Sequence, residues 1–189
     1  MARTILTIGA LVIGVAATVH GATGKKVDPT KMTCAEFVAL TEEAQPRVVA
    51  WLDGYSSGAK AKPEAVPVVV KREIAHIVEE CTETPKQSLW DKIRGKLPGG
   101  KKTVANPAKM TCEEFVALEK PAQPEVAYWM DGYNEGAQKG QPETKGAKAA
   151  DGEATGAADV ALDADVVAVV EECRVEPKQA LSDEIKKKF

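Results

Sequence analysis

One segment of this chain occurs twice, and this repeat limits the possible folds more than any other feature. Residues 32–55 read MTCAEFVALTEEAQPRVVAWLDGY, and residues 110–133 read MTCEEFVALEKPAQPEVAYWMDGY, 78 positions later and without a gap. Each copy is followed by a second similar segment, IVEECTETPKQSLWDKI around Cys81 and VVEECRVEPKQALSDEI around Cys173. Such self-similarity indicates that one structural unit is present twice. The 189 residues therefore predict two small domains, 30–97 and 110–189.

The residues before the first copy resemble an export signal. Arg3 precedes an uncharged run rich in Ala, Val, Ile and Leu, and small residues follow that run. These features predict a secretory signal peptide at 1–22. The apolar run is shorter than the roughly 20 residues that a membrane-spanning helix needs, so we expect cleavage and no stable membrane anchor.

Two other segments lie outside the repeated units. Residues 98–109, PGGKKTVANPAK, are rich in Gly, Pro and Lys, which predicts a linker. The second pair of cysteines is 61 positions apart, against 47 for the first pair. The excess lies in the Gly-, Ala- and Lys-rich stretch at about 138–158. This composition offers little to bury, so we expect a mobile insertion in the second domain.

The four cysteines predict disulfides. In an exported protein, an even number of cysteines in small domains indicates a disulfide framework. Each domain holds its own pair in equivalent places, which selects Cys34–Cys81 and Cys112–Cys173. A structural metal site would need close pairs such as Cys-x-x-Cys, which this sequence lacks. Domains of this size are marginally stable without such support.

Local signals within each copy are helical. Thr33 with Glu36, and Thr111 with Glu114, fit the capping box that begins a helix. The next segment has apolar residues at helical spacing in both copies. They are Val48, Trp51, Leu52 and Tyr55 in the first copy, and Val126, Trp129, Met130 and Tyr133 in the second.

The remaining helix signals complete a small bundle. Residues 74–81 carry a third apolar stripe, and Thr84–Gln87 resembles another capping box before a fourth helix. Gly58 and Gly136 are expected to end the second helices. Because no stretch alternates with period two, we predict an all-α fold of two tandem, small, disulfide-stapled helical domains.

Sequence motifs argue against catalysis and cofactor binding. The chain lacks the fingerprints of phosphate loops, dinucleotide-binding folds and nucleophilic hydrolases. The repeated Asp-Gly-Tyr at 53–55 and 131–133 has no partner His or carboxylate pair, so we interpret it as structural. Basic residues do not cluster with aromatics, which makes nucleic acid an unlikely partner. We expect no enzyme activity, no cofactor and no metal.

These motifs resemble the HdeA/HdeB acid-stress chaperone family. The resemblance rests on Thr-Cys-x-Glu-Phe, a Gln-Pro step, an apolar helix with Trp, and a second Cys before a Lys-rich amphipathic end. It covers nearly all of each copy. Two departures stand out: the domain occurs in tandem, and Ala44 and Ala122 replace the HdeA-type aromatic near the Gln-Pro step. This second feature is closer to HdeB.

The resemblance implies a periplasmic, non-enzymatic helical protein. Family members are folded dimers near neutral pH, and in acid they partly unfold and hold denaturing periplasmic proteins in solution. The family's interface and client surface lies along the second helix. In this sequence that points to Val49, Trp51, Leu52 and Tyr55, and to Ala127, Trp129, Met130 and Tyr133.

Charge is compatible with an acid-driven change. The chain has 28 Asp and Glu against 25 Lys and Arg, and a formal net charge of −3 at pH 7. Full protonation of the carboxyl groups would leave the cations uncompensated, and such self-repulsion destabilises a compact state. The predicted partners are acid-denatured periplasmic proteins. Pairing of the two domains within one chain is expected, with a homodimer as the alternative. The alternative function is a periplasmic protein-binding module without acid activation.

Overall fold

The computed structural model describes residues 28–60, 66–67, 71–94, 102–104, 107–140 and 158–189. The predicted signal peptide at 1–22 lies outside these residues and stays a prediction. Each half contributes four α-helices to the described part of the chain. They are α1 Cys34–Val38, α2 Ala44–Ala59, α3 Lys71–Glu83 and α4 Leu89–Ile93, then α5 Cys112–Val116, α6 Ala122–Lys139, α7 Ala158–Val175 and α8 Leu181–Lys188.

The predicted all-α fold class is confirmed, with two short extended segments in addition. Strands β1, Val66–Pro67, and β2, Lys102–Val104, pair antiparallel. Strand β2 lies within the segment 98–109 that we predicted as a linker. Residues Pro107–Lys109 of that segment form a 3₁₀ helix, which matches Pro29–Lys31 at the start of the first half. The domain boundaries themselves stay a prediction.

The capping boxes predicted at the first helix of each copy are confirmed. The backbone N–H of Thr33 donates to Glu36 Oε2 at 2.7 Å, and the N–H of Glu36 donates back to Thr33 Oγ1 at 3.3 Å. Thr111 and Glu114 repeat both bonds, at 2.8 and 3.4 Å. These bonds satisfy N–H groups that the first turn of a helix leaves without partners.

Both predicted disulfides are confirmed, one in each half. Cys34 pairs with Cys81 and Cys112 with Cys173, each pair with its Cα atoms 4.7 Å apart. The first bond joins the start of α1 to the last turns of α3, and the second joins α5 to α7. All four cysteines are buried. Each half is therefore cross-linked through its own core.

Backbone bonds close each half in the same way. The N–H of Cys34 donates to the carbonyl oxygen of Gln87 at 2.8 Å, and that of Leu89 donates to Met32 at 2.9 Å. In the second half, Cys112 donates to Gln179 and Leu181 donates to Met110, both at 2.9 Å. The segment before α1 is thus tied to the segment before α4, and the duplicated sequence produces a duplicated structure.

Three helix boundaries differ from the sequence prediction. Gly58 and Gly136 do not end their helices, because α2 continues to Ala59 and α6 to Lys139. Thr84 does not cap the fourth helix; Ser88 does, and its Oγ accepts from the N–H of Asp91. The predicted insertion at about 138–158 overlaps the end of α6 and the start of α7, and residues 141–157 lie outside the described residues.

The two halves share one apolar core. Buried side chains from both copies form a single continuous cluster, which runs from Met32 and Phe37 through α2 and α6 to Leu181 and Ile185. Domains of about 70 residues bury a smaller fraction of their unfolded surface than larger domains do. Sharing a core across the halves therefore adds apolar burial that neither half could reach alone.

Candidate functional site

The α2–α6 interface, formed by residues 47–59 and 125–137, joins the two halves. At Gly54 the backbone of α2 lies against Trp129 and Tyr133, and one turn later Gly58 lies against Tyr133 and Ala137. Moving four residues toward the C-terminus of α2 thus moves the contact four residues toward the C-terminus of α6. The two helices therefore run parallel where they touch.

Four glycines allow the two backbones to approach each other. A Cβ atom added at Gly54 would overlap the carbonyl group of Trp129, and one added at Gly132 would overlap that of Trp51. Gly58 and Gly136 face the carbonyl oxygens of Tyr133 and Tyr55 in the same reciprocal way. Small residues four apart are a recurrent device for close helix packing. The contact thus has an internal two-fold symmetry that follows from the repeat.

Two hydrogen bonds between side chains cross this interface reciprocally. The indole Nε1 of Trp51 donates to Asp131 Oδ2 at 2.6 Å, and the indole Nε1 of Trp129 donates to Asp53 Oδ2 at 2.8 Å. Both tryptophans are buried and both carboxyl groups are half-buried. Buried indole N–H groups need an acceptor, and here each half supplies the acceptor for the other.

Aromatic rings flank the hydrogen bonds. Trp51 stacks on Tyr55 with ring centroids 5.2 Å apart, and Trp129 stacks on Tyr133 at the same distance. In the first half a third aromatic ring joins this pair, because Trp90 packs edge-on against Tyr55 with ring centroids 6.0 Å apart. Such offset and edge contacts add to the energy of area burial.

Tyr55 makes a further contact with the second half. Its hydroxyl group donates to the carbonyl oxygen of Gly140 at 2.9 Å. Burial raises the pKa of the Tyr55 phenol, so this hydroxyl remains a hydrogen-bond donor well above neutral pH. Gly140 ends α6 with a φ of 71°, a conformation that glycine adopts without strain.

The predicted client and interface residues lie on two sides of the second helices. Trp51, Tyr55, Trp129 and Tyr133 meet the opposite half. At about 100° per residue, Leu52 lies on the far side of α2 from Gly54. Val49, Leu52, Ala127 and Met130 are fully buried, and Tyr133 is half-buried.

Sequence reasoning missed the residues that determine how the halves meet. The Asp-Gly-Tyr motif predicts a structural role for Asp53 and Asp131 but not their indole partners, and Gly58 and Gly136 are predicted as helix stops. The signal was present as Gly-x-x-x-Gly at 54–58 and again at 132–136, preceded each time by Trp-x-Asp. The spacing of one helical turn between glycines would have pointed to a helix contact.

Other kinds of site find little support in the described ranges. There, no group of three or more His, Cys, Asp and Glu side chains is arranged to hold a metal ion. None of the helices in the same ranges combines the length and apolarity needed to cross a lipid bilayer.

Comparison with known proteins identifies relatives of both halves. The model of the HdeA/HdeB family matches residues 3–91 and again residues 99–183. A protein named "Probable acid stress chaperone HdeA" from Brucella suis biovar 1 (strain 1330) is 29% identical over 97 residues, which are 51% of this chain and 85% of that protein. Its namesake from Brucella ovis is 28% identical with the same coverage. No solved structure matches significantly.

The two family matches together span most of the chain, and each match contains one of the two disulfides. Proteins of the family are periplasmic, and the HdeA chaperones in it are acid-stress chaperones without enzymatic activity. The chain therefore belongs to the HdeA/HdeB family and carries two tandem copies of its domain.

Proposed function

We propose that this protein is a periplasmic chaperone that partly unfolds in acid and holds acid-denatured periplasmic proteins in solution. In this proposal residues 1–22 direct export and are then cleaved. The observation that carries the proposal is the burial of the two apolar second helices against each other. Together they form an apolar surface that is hidden in the folded chain and that separation of the helices would expose to unfolded proteins.

The buried aromatic residues are the strongest candidates for client contacts. Trp51 and Trp129 are at most 5% exposed, and each donates a hydrogen bond to the opposite half. Separation of α2 from α6 would place both indoles, with Tyr55 and Tyr133, on open helix faces. Denatured proteins expose apolar surface of the same kind, so binding would bury it again.

The second group of predicted residues would act at a later stage. Val49 and Leu52, with Ala127 and Met130, are fully buried, and Leu52 faces away from the interface. Their exposure requires loosening within a half and not only separation of the halves. We propose that they extend the client surface when acid loosens each bundle.

Acid would act on many carboxyl groups at once. Glu36 and Glu114 each accept a backbone hydrogen bond at a helix start, and protonation weakens such bonds. Ion pairs such as Lys188–Glu172 would lose one charge. With the carboxyl groups neutral, the 25 Lys and Arg side chains repel one another.

The disulfides would limit how far each half expands. They do not titrate in acid, and the loops they close span 47 and 61 positions. On the chain-entropy model, a cross-link of this size removes about 4 kcal/mol of unfolded-state freedom. We propose that each half therefore loosens in acid without becoming a random coil, which favours refolding on neutralisation.

Client aggregation measured across pH tests this function. The disulfide-intact protein without residues 1–22 would be mixed with an acid-labile client, and light scattering followed at neutral pH and at about pH 2–3, where carboxyl groups are protonated. We expect protection in acid only. Protection that is absent at every pH, or equal at both, would favour a binding module without acid activation.

A pair of variants tests the client surface. Replacing Trp51 and Trp129 together by Ala should weaken both pairing of the halves and client protection in acid. Each loss of a buried Trp costs about 3–5 kcal/mol, so the free energy of unfolding must be measured in parallel. Trp90→Ala is the control, because Trp90 is similarly buried, packs on Tyr55 of its own half and takes no part in the two Trp–Asp hydrogen bonds. Normal protection by a folded double variant would contradict the assignment.

A further inference from the structure

The two Trp–Asp pairs are the polar contacts through which the buried tryptophans bridge the halves. Trp51 donates to Asp131 at 2.6 Å and Trp129 donates to Asp53 at 2.8 Å. We propose that these pairs form an acid-sensitive clasp, which holds α2 against α6 while Asp53 and Asp131 are ionised and weakens as they take up protons. The inference deepens the proposed function, on which its biological meaning rests.

The chemistry of the donor determines whether the clasp weakens or strengthens as pH falls. An indole N–H can only donate, so it cannot compensate by accepting a hydrogen bond from a protonated carboxyl group. A hydrogen bond to an ionised acceptor is roughly twice as strong as one to a neutral acceptor. Because Asp53 and Asp131 are half-buried, they keep part of their hydration while they accept this bond. The stabilisation is therefore present when the carboxylates are charged and is lost as pH falls.

The repeat makes the effect reciprocal. One carboxylate comes from each half and one indole from each half, so protonation weakens both ends of the contact together. The glycine contacts at 54 and 132 are between backbone atoms and do not titrate. The clasp thus adds pH dependence to an interface whose packing alone has none.

Charged groups near the clasp are few on the two helices themselves. Apart from the two aspartates, α2 carries Arg47, and α6 carries Glu125, Glu135 and Lys139. Arg47 and Glu125 lie one turn before Trp51 and Trp129, respectively, and Lys139 pairs with Glu135 at the end of α6.

The elements that pack against α2 and α6 carry their own ion pairs. The histidine in the described residues, His76, is exposed on α3, where its Nε2 lies 3.3 Å from Glu80 Oε1. Further charge pairs of these elements include Asp28–Lys31 before α1, His76–Glu79 in α3, Asp91–Arg94 at the end of α4, Glu171–Arg174 in α7, Asp183–Lys186 and Glu184–Lys187 in α8, and Glu172–Lys188 between α7 and α8.

The expected effect is large enough to measure. The difference between a charged and a neutral hydrogen bond, taken at both ends, corresponds to a weakening of the pairing by roughly 30- to 100-fold. An Asn side chain keeps an acceptor oxygen and nearly the same shape but does not titrate. Asp53→Asn and Asp131→Asn therefore imitate the protonated clasp at any pH.

Indole N–H signals of the full ¹⁵N-labelled chain provide the test, without any client. The chain has three tryptophans, and Trp90, outside the clasp, serves as the internal reference. The signals would be followed from about pH 7 to about pH 2, the range in which carboxyl groups titrate. In Asp131→Asn, we expect the Trp51 indole signal to lose its shift over the first part of this pH range, while the Trp129 signal keeps its shift. We expect the converse in Asp53→Asn.

The double variant Asp53→Asn/Asp131→Asn completes the test. It should separate its halves about 30- to 100-fold more readily than the parent at neutral pH, as seen from the radius of gyration, and with a weaker dependence on pH. Circular dichroism would verify that each half remains helical. Unchanged indole titrations in the single variants, or parental pH dependence of separation in the double variant, would overturn the clasp. Absence of client protection in a chain that keeps these titrations would instead reject the proposed function.

Discussion

Gly54 lies directly against the carbonyl group of Trp129, so closely that the smallest side chain at position 54 would overlap it. Gly132 repeats this relationship with Trp51. The contact sets the distance between the two halves, because neither backbone can retreat without breaking the reciprocal hydrogen bonds at Asp53 and Asp131. The pairing of the halves therefore depends on glycine at these positions.

Replacing Gly54 by Ala should weaken the pairing of the halves. In an exposed helix this change stabilises by up to about 1 kcal/mol, whereas overpacking a close contact costs roughly 1–3 kcal/mol. A net loss of stability would therefore be the opposite of the gain that helix propensity alone predicts. Urea unfolding followed by tryptophan fluorescence would measure it.

Ser57→Ala in the same helix is the matched control for that substitution. It adds no atoms toward α6, and we expect little change in the free energy of unfolding. Gly132→Ala should reproduce the effect of Gly54→Ala because the contact is symmetric. Stabilisation by either glycine variant would show that the backbones are not held at this distance in solution.

Reduction of the disulfides should destabilise both halves and reduce client protection in acid. The cross-links account for about 4 kcal/mol in each half on the chain-entropy model, comparable to the whole stability of a domain of this size. Non-reducing peptide mapping should find Cys34 joined to Cys81 and Cys112 joined to Cys173. Equal protection by the reduced chain would contradict the proposed role of the disulfides.

Replacing Asp28 by Asn should remove one source of acid sensitivity in the first half. Burial alone would raise the pKa of Asp28, but hydrogen bonds from Thr30 and Lys31 outweigh it, and the pKa is lowered from the ordinary 3.8. A lowered pKa in the folded state means that the ionised group stabilises the fold above pH 3.8, and that this stabilisation is lost as pH falls through the folded pKa.

Asp28→Asn keeps the helix cap, since Asn caps about as well as Asp. We expect the variant to be less stable than the parent at neutral pH, and the difference to disappear as pH falls below the folded-state pKa of Asp28. Parallel stability curves for parent and Asp28→Asn at all pH values would refute the assignment.

Pairing of α2 with α6 within one chain predicts a monomer at neutral pH. The interface is filled by the chain's own second copy, and a tether raises the effective concentration of that copy to the order of millimolar. Light scattering over a range of concentrations should give a mass near that of one chain, 20.1 kDa before any cleavage. Acid activation should then be nearly independent of protein concentration.

The competing outcome is an assembly in which two chains exchange halves. A mass near twice that of one chain, persisting on dilution to low micromolar concentration, would rule out pairing within the chain. Covalent connection also predicts faster recovery on neutralisation than free subunits would show, since no second molecule has to be found.

The fold of each half was predictable because its signals are local. The Thr33–Glu36 capping box depends on a spacing of three residues, and the stripe from Val48 to Tyr55 depends on the helical period. The disulfide pairing followed from the repeat, which places equivalent cysteines in equivalent units. The groups that form the confirmed capping boxes lie within three residues of each other, so the sequence was sufficient there.

The contact between the halves required the tertiary structure. Trp51 and Asp131 are 80 positions apart, and no local spacing connects them. Gly58 carries the same sequence signal whether it ends a helix or lets another backbone approach, and only the position of Tyr133 distinguishes the two. By itself the sequence determined two copies of a disulfide-stapled helical unit. The tertiary structure decided that the copies face each other in parallel, an arrangement in which each buried indole has an acceptor and each of the four glycines lies against a backbone.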